Sequence, residues 1–279
     1  WIYKFNGDVM SLTWDDKWDE FSKKELTEEQ RIQATEFMDG FRRGEKTYTR
    51  FNYEFPLSKK FQKDEFVVLF TNLNFDTAVL GRNPVFHSMY VWIEEVIKYW
   101  NENEITTKLV IRVHPAEAKS ISVTKDFVKT RISSLIEHNK NIHLYDSLDK
   151  VDSYSLIENM KFGLVYASTI GLETAIMGKV FIVAGNAHYR YKSFSLFHEN
   201  QEDYFKEIEK QLDRKNPTNA FQSDALKYAY FLFFVCIKKF DGLKTDHVYK
   251  VNDFDFDDLD DLIYKNNDLL VEFENEVLQ

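Results

Sequence analysis

Short, largely apolar runs recur along the middle of the chain. They are Phe66-Val-Val-Leu-Phe70, Lys108-Leu-Val-Ile-Arg-Val113, Ile142-His-Leu-Tyr145, Phe162-Gly-Leu-Val-Tyr166 and Val180-Phe-Ile-Val-Ala184. A continuous apolar run, rather than an alternating one, suits a strand covered on both faces. Between the runs the period changes to that of a helix. Phe86, Tyr90, Ile93, Ile97 and Trp100 share one helical stripe. Further helices are expected over about 125–138, over 154–160 behind an Asp152 or Ser153 cap, after Ser168 as far as Gly178, and over about 202–212. Strand and helix thus alternate from about residue 66 to 213. This predicts an α/β fold, a doubly wound and mostly parallel sheet. Right-handed crossovers would place helices on both faces.

The flanks read differently. Residues 1–65 are expected to form a helical and connector segment, with a capping signal at Thr27-Glu-Glu-Gln30. Residues 66–215 are expected to form the α/β sheet domain. Residues 216–279 are expected to be C-terminal helices and an acidic tail packed on it, with one long apolar helix over 219–240 and a solvated loop over 252–261. The chain carries 9 Gly and 4 Pro in 279 residues, which favours long elements over tight turns. Its net charge of −10 argues against wrapping nucleic acid or an anionic membrane with the whole surface. The single cysteine, Cys236, cannot form an intrachain disulfide, and no Cys/His cluster has zinc spacing. No run reaches the ~20 apolar residues that span a bilayer. A cytoplasmic protein is expected. Because the sequence begins at Trp1 rather than Met, it is expected to be a fragment or a processed chain.

Ligands of open parallel sheets sit beyond the carboxyl ends of the strands. The polar loops there are Asn72 to Asp76 with Arg82, Arg112 to Pro115, Ser168-Thr169 and Gly185 to Arg190. Ser168 and Thr169 stand where a strand turns into a helix. Free N–H groups and the helix dipole at such a start favour phosphate. Glu173 lies one turn further in, within reach of a ligand hydroxyl. Arg112 and His114 alternate onto one face at a strand end, where a guanidinium and an imidazole could meet phosphate. Asn186, His188, Tyr189 and Arg190 gather an amide, an imidazole, a phenol and a guanidinium. Asp76 is the candidate catalytic base. Each group also has a plainer reading, as cap, turn or strand end. A phosphate-binding G-x-x-x-x-G-K-[ST] loop, a dinucleotide G-x-G-x-x-G fingerprint and a G-x-S-x-G elbow are all missing from the sequence. That weighs against P-loop NTPases, nicotinamide enzymes and α/β-hydrolases.

Taken in order, Leu69 to Gly81, Ile111-Arg-Val-His-Pro115, Ser153-Tyr-Ser-Leu156, Ala167-Ser-Thr-Ile-Gly-Leu-Glu173 with Gly178-Lys179, and Gly185-Asn-Ala-His-Tyr189 resemble the capsule polysaccharide biosynthesis proteins. That group includes the bacterial Kdo transferases of capsule assembly. The likeness covers about residues 66–195. It implies a GT-B glycosyltransferase, with this chain as the C-terminal, donor-binding Rossmann-like half. It implies His114 at the nucleotide phosphate or base, with Arg112 beside it, Ser168 and Thr169 at the phosphate, and Glu173 at the ribose. Asn186, His188, Tyr189 and Arg190 would meet the donor sugar, and His114 would also serve the chemistry. No metal or other cofactor is implied. The substrates would be a nucleotide sugar, a CMP-sugar before others, and a glycan or glycolipid acceptor. Peripheral association with capsule assembly machinery at the inner membrane face would follow. Two departures stand out: Gly178-Lys179-Val180-Phe181 replaces a Gly-Lys-Pro-Val pattern, and no complete N-terminal Rossmann domain precedes residue 66. The competing readings are a CDP-alcohol-dependent polyol-phosphate transferase, a noncatalytic sugar-nucleotide-binding module and a nucleotide-sugar epimerase.

Overall fold

A computed structural model of the chain describes residues 2–3, 14–43, 65–74, 79, 81, 83–118, 126–238, 241–245 and 251–277. In chain order the elements begin with β1 (Ile2–Tyr3), α1 (Asp15–Phe21), α2 (Glu28–Arg42), β2 (Phe66–Phe70), α3 (Met89–Glu102) and β3 (Lys108–Arg112). There follow α4 (Val128–Ile136), β4 (Ile142–Tyr145), α5 (Ser153–Asn159), β5 (Gly163–Val165), α6 (Ile170–Ile176), β6 (Phe181–Val183) and β7 (Leu196–Phe197). The chain continues with α7 (Gln201–Asp213), α8 (Gln222–Tyr230), β8 (Ile237–Lys238), β9 (Leu243–Thr245), β10 (Val251–Phe254), α9 (Leu259–Lys265) and α10 (Asn267–Val277). It divides into two compact units, Phe51–Ala225 and the two flanks Trp1–Arg50 with Leu226–Gln279.

The first unit is a Rossmann-like α/β sheet. Its six strands run in the order β4-β3-β2-β5-β6-β7, and every neighbouring pair is parallel. β2 sits centrally and all of its residues are buried, as its unbroken apolar run requires. Strand order reverses between β2 and β5, so α3 and α4 lie on one face and α5 and α6 on the other under the right-handed crossover rule. β7 was not expected. Its two residues are too few to stand out as an apolar run.

The helices bury the stripes that the periodicity marks. Ser88 caps α3 by accepting the Val91 N–H at 3.1 Å. Trp92, Ile93, Val96, Ile97 and Trp100 of α3 are fully buried, each contributing about 1.5–3 kcal/mol of apolar burial. Trp92 Nε1 donates to the Tyr204 hydroxyl of α7 at 2.8 Å, and the rings of Tyr99 and Phe205 stack at 4.5 Å. Gly178 ends α6 with a φ of +74°, which suits glycine at that stop.

The flanking unit has its own aromatic core. Trp18 of α1 meets Tyr228 edge-on at 5.0 Å, and Phe37 of α2 meets Phe233 at 4.7 Å. Lys227 is held by the Ser22 carbonyl at 3.1 Å and by Glu25 at 3.4 Å. The long helix expected over 219–240 is shorter. α8 ends at Tyr230, Phe231–Cys236 winds as a π-helix, and Ile237 enters β8, antiparallel to β1. Bulky aromatic and β-branched residues crowd a tight α-turn; the wider π-turn accommodates them. The acidic stretch 252–261 is not a plain loop either. It holds the end of β10 and the start of α9, which Asp258 caps through the Asp261 N–H at 2.8 Å. Among the described residues no helix is long and apolar enough to cross a membrane.

Candidate active site

The reversal of strand order places a crevice between the carboxyl ends of β2 and β5. Two consecutive residues after β2 fix its walls. Thr71 reaches toward β3: its N–H donates to the Arg112 carbonyl at 3.1 Å, and its Oγ1 accepts the His114 N–H at 3.0 Å. Asn72 reaches toward β5, where its Oδ1 accepts the Ala167 N–H at 3.2 Å. Its own N–H points at Met89 Sδ, 3.3 Å away. Both side chains are buried. They therefore tie the His114 loop and the Ser168 loop to the same strand end.

His114 is half-buried. Its Nδ1 accepts the Ala116 N–H at 3.1 Å. With Nδ1 accepting, the neutral ring carries its proton on Nε2.

Arg112 does something other than the sequence suggested. Its Nη1 donates to the Asp146 carbonyl at 2.8 Å and its Nη2 to the Val151 carbonyl at 3.3 Å. Only 2% of the residue is exposed. Burial pushes its pKa down to about 10, against the pull of Asp149, Asp152 and Asp146. The guanidinium clamps both ends of the loop between β4 and α5 and is not available as a phosphate ligand.

The start of α6 also needs correction. Its first N–H groups are not bare: Ile170 is met by Ser168 Oγ at 3.4 Å, Gly171 by the Ser168 carbonyl at 3.2 Å, and Leu172 and Glu173 by the Thr169 carbonyl at 2.9 and 3.3 Å. The tight turn closes on itself, so side chains, not a free helix start, face a ligand. Ser168 is half-buried and Thr169 exposed. The Tyr154 hydroxyl of α5 donates to Glu173 Oε2. Glu173 is only 8% exposed. Burial raises its pKa, and the Tyr154 and Thr169 side chains oppose that rise.

The loop after β6 splits in two. Tyr189 is wholly buried, and its hydroxyl donates to the Ser168 carbonyl. It braces the α6 turn from beneath and does not face a sugar. His188 is buried beside it, ring to ring at 4.8 Å, with its pKa pushed down to about 3 by burial and then by Lys192. Asn186 and Arg190 are half-buried. Asn186 Oδ1 has no hydrogen-bond partner, and the Arg190 guanidinium lies over the Tyr191 ring at 4.5 Å. Asp76 and Arg82 lie outside the described residues. Among the described residues no group of three or more His, Cys, Asp or Glu is gathered for a metal ion. The residues that sequence reasoning assigned no role are Thr71, Asn72 and Tyr154. Their signal was position alone, at strand ends and just inside an N-cap.

Solved structures offer distant likenesses. The β-Kdo 2,7 transferase of Thermosulfurimonas dismutans KpsC is 15% identical, over 79% of this chain and 60% of that one, with a TM-score of 0.44. The β-Kdo 2,4 transferase of the same protein is 15% identical, over 72% and 56%, with a TM-score of 0.43. A UDP-GlcNAc 2-epimerase from Methanocaldococcus jannaschii, in complex with UDP-GlcNAc and UDP, is 14% identical, over 61% and 46%, with a TM-score of 0.37. The chain spans about half the length of such structures, from 46% to 60% of those named. No curated protein matches the sequence. Residues 42–232 match the capsule polysaccharide biosynthesis proteins, more than half of the chain, and the chain belongs to that family.

Proposed function

We propose that this chain is the donor-binding part of a GT-B glycosyltransferase, which moves a sugar from a nucleotide to a capsule glycan or glycolipid acceptor. The observation that carries the reading is the pair of ties from β2. Thr71 fixes His114 and Asn72 fixes Ala167, beside Ser168, on the two walls of one crevice. His114 Nε2 and the Ser168 hydroxyl would hold the phosphates. Glu173 would accept a ribose hydroxyl. Asn186 Oδ1, which has no other hydrogen-bond partner, and Arg190 would meet the sugar. Positive charge and hydrogen bonds on the leaving phosphate would then support departure without a bound metal.

The test is calorimetry of the chain with CMP, UDP and GDP. We expect CMP to bind best. His114→Ala combined with Ser168→Ala should weaken binding at least about tenfold, or about 1.4 kcal/mol. Unchanged affinity in the double variant would refute the site.

A further inference from the structure

Tyr154 contributes no group to the phosphate or sugar positions, yet its hydroxyl is spent on a functional carboxylate. It stands at the start of α5, where Asp152 accepts the Tyr154 N–H at 3.1 Å, the Ser155 N–H at 2.8 Å and the Ser155 hydroxyl at 2.8 Å. That cap fixes the first turn of a short helix. From there the Tyr154 hydroxyl donates to Glu173 Oε2 on α6. The Thr169 side chain, one turn before Glu173, also favours the ionised form. Tyr189, the other phenol against Glu173, is directed elsewhere, to the Ser168 carbonyl.

The consequence is electrostatic as well as geometric. A carboxylate this deep is costly unless its oxygens are hydrogen-bonded. The neutral Tyr154 hydroxyl stabilises the ionised form and leaves acceptor positions over, since a carboxylate has about four. A group so held is an oriented acceptor for a further hydroxyl. We propose that Tyr154 is a positioning residue, which holds the Glu173 carboxylate in the orientation that accepts a ribose hydroxyl of the donor. The inference rests on the donor-site reading above.

The titratable groups facing Glu173 are Tyr154 from α5 and Tyr189 from the loop after β6. Burial already raises the Glu173 pKa, and the Tyr154 bond opposes it. Removing the hydroxyl therefore raises it further, so that protonation begins at higher pH. Tyr154→Phe should melt only a few degrees lower, because the buried carboxylate loses a donor, and bind the preferred nucleotide about fivefold more weakly at neutral pH, the scale of one ordinary hydrogen bond. As pH falls, its affinity should decline earlier than that of the wild type. Glu173→Gln should lose that pH dependence, and adding Tyr154→Phe to it should change nothing more. A wild-type profile in Tyr154→Phe, or an equal loss at every pH, overturns the inference while leaving the donor site standing. A wild-type chain that binds none of CMP, UDP and GDP sinks the donor-site reading and this inference with it.

Discussion

Gly171 is the narrowest point beneath the candidate site. A Cβ added there would lie 2.8 Å from Tyr189 Cζ and 2.9 Å from Phe181 Cε2, and closer still to the Tyr189 hydroxyl. The ring cannot simply swing away, because Tyr189 is fully buried and boxed by Phe181 at 5.7 Å and Phe194 at 6.3 Å. Gly171→Ala must therefore push the phenol off the Ser168 carbonyl or lift α6. Overpacking of this kind costs about 1–3 kcal/mol. A buried hydroxyl that loses its acceptor costs about 1–3 kcal/mol more, and alanine returns about 1 kcal/mol of helix propensity. The net loss is about 3 kcal/mol, a fall of about 6–12 °C in melting temperature for a unit of this size. Tyr189→Phe alone should cost about 1 kcal/mol, the net worth of one hydrogen bond. In the double variant the hydroxyl clash is gone while the ring carbons stay close, so the two changes should couple favourably by about 1 kcal/mol. Thermal and urea unfolding of the four proteins measures the cycle. A Gly171→Ala protein as stable as wild type, or strict additivity, would refute this account of how the turn is braced.

Arg112→Met should lower stability by about 2 kcal/mol, since two bonds from a charged donor at about 1.5–3 kcal/mol each outweigh the relief of its burial. Nucleotide affinity in that variant should stay within about threefold of wild type; unchanged stability with a tenfold loss of binding would restore the phosphate-ligand role. His188, with its pKa lowered from 6.5 to about 3 by burial, binds fewer protons folded than unfolded between those values. Its contribution is present above pH 6.5 and is lost as pH falls toward 3. His188→Gln should flatten the acid limb of stability by up to about 1.4 kcal/mol per pH unit in that window; parallel acid limbs for the two proteins would exclude a buried neutral imidazole.

Much of the sheet was legible because a strand buried on both faces cannot hide its composition. Phe66–Phe70 is apolar at every position, and only a covered central strand tolerates that. β7 was not legible, since Leu196–Phe197 offers two residues and no period. The π-helix at Phe231–Cys236 was illegible for a different reason. Helical periodicity at that length does not separate an α-turn from a wider one, and the rings of Phe231 and Phe233 pack on Trp18 of α1 and Phe37 of α2, far away in sequence.

At the candidate site the same limit takes a sharper form. Residue type and strand-end position marked four loops as candidates, but not which side chains the fold would consume to build them. Arg112 and Tyr189 have the chemistry of ligands. The fold spends one on the carbonyls of Asp146 and Val151, and the other on the carbonyl of Ser168. Buried backbone carbonyls need partners as much as phosphates do, and a long donor at a strand end serves either. Tyr154 reverses the case: nothing in its own neighbourhood distinguishes it, and its role arises only when α5 and α6 come to lie on one face. What separates a binding group from a bracing one is therefore exposure toward the crevice. In the proposed donor site His114 and Ser168 are the binding groups, and buried neighbours, Thr71, Asn72 and Tyr189, take up the backbone hydrogen bonds around them.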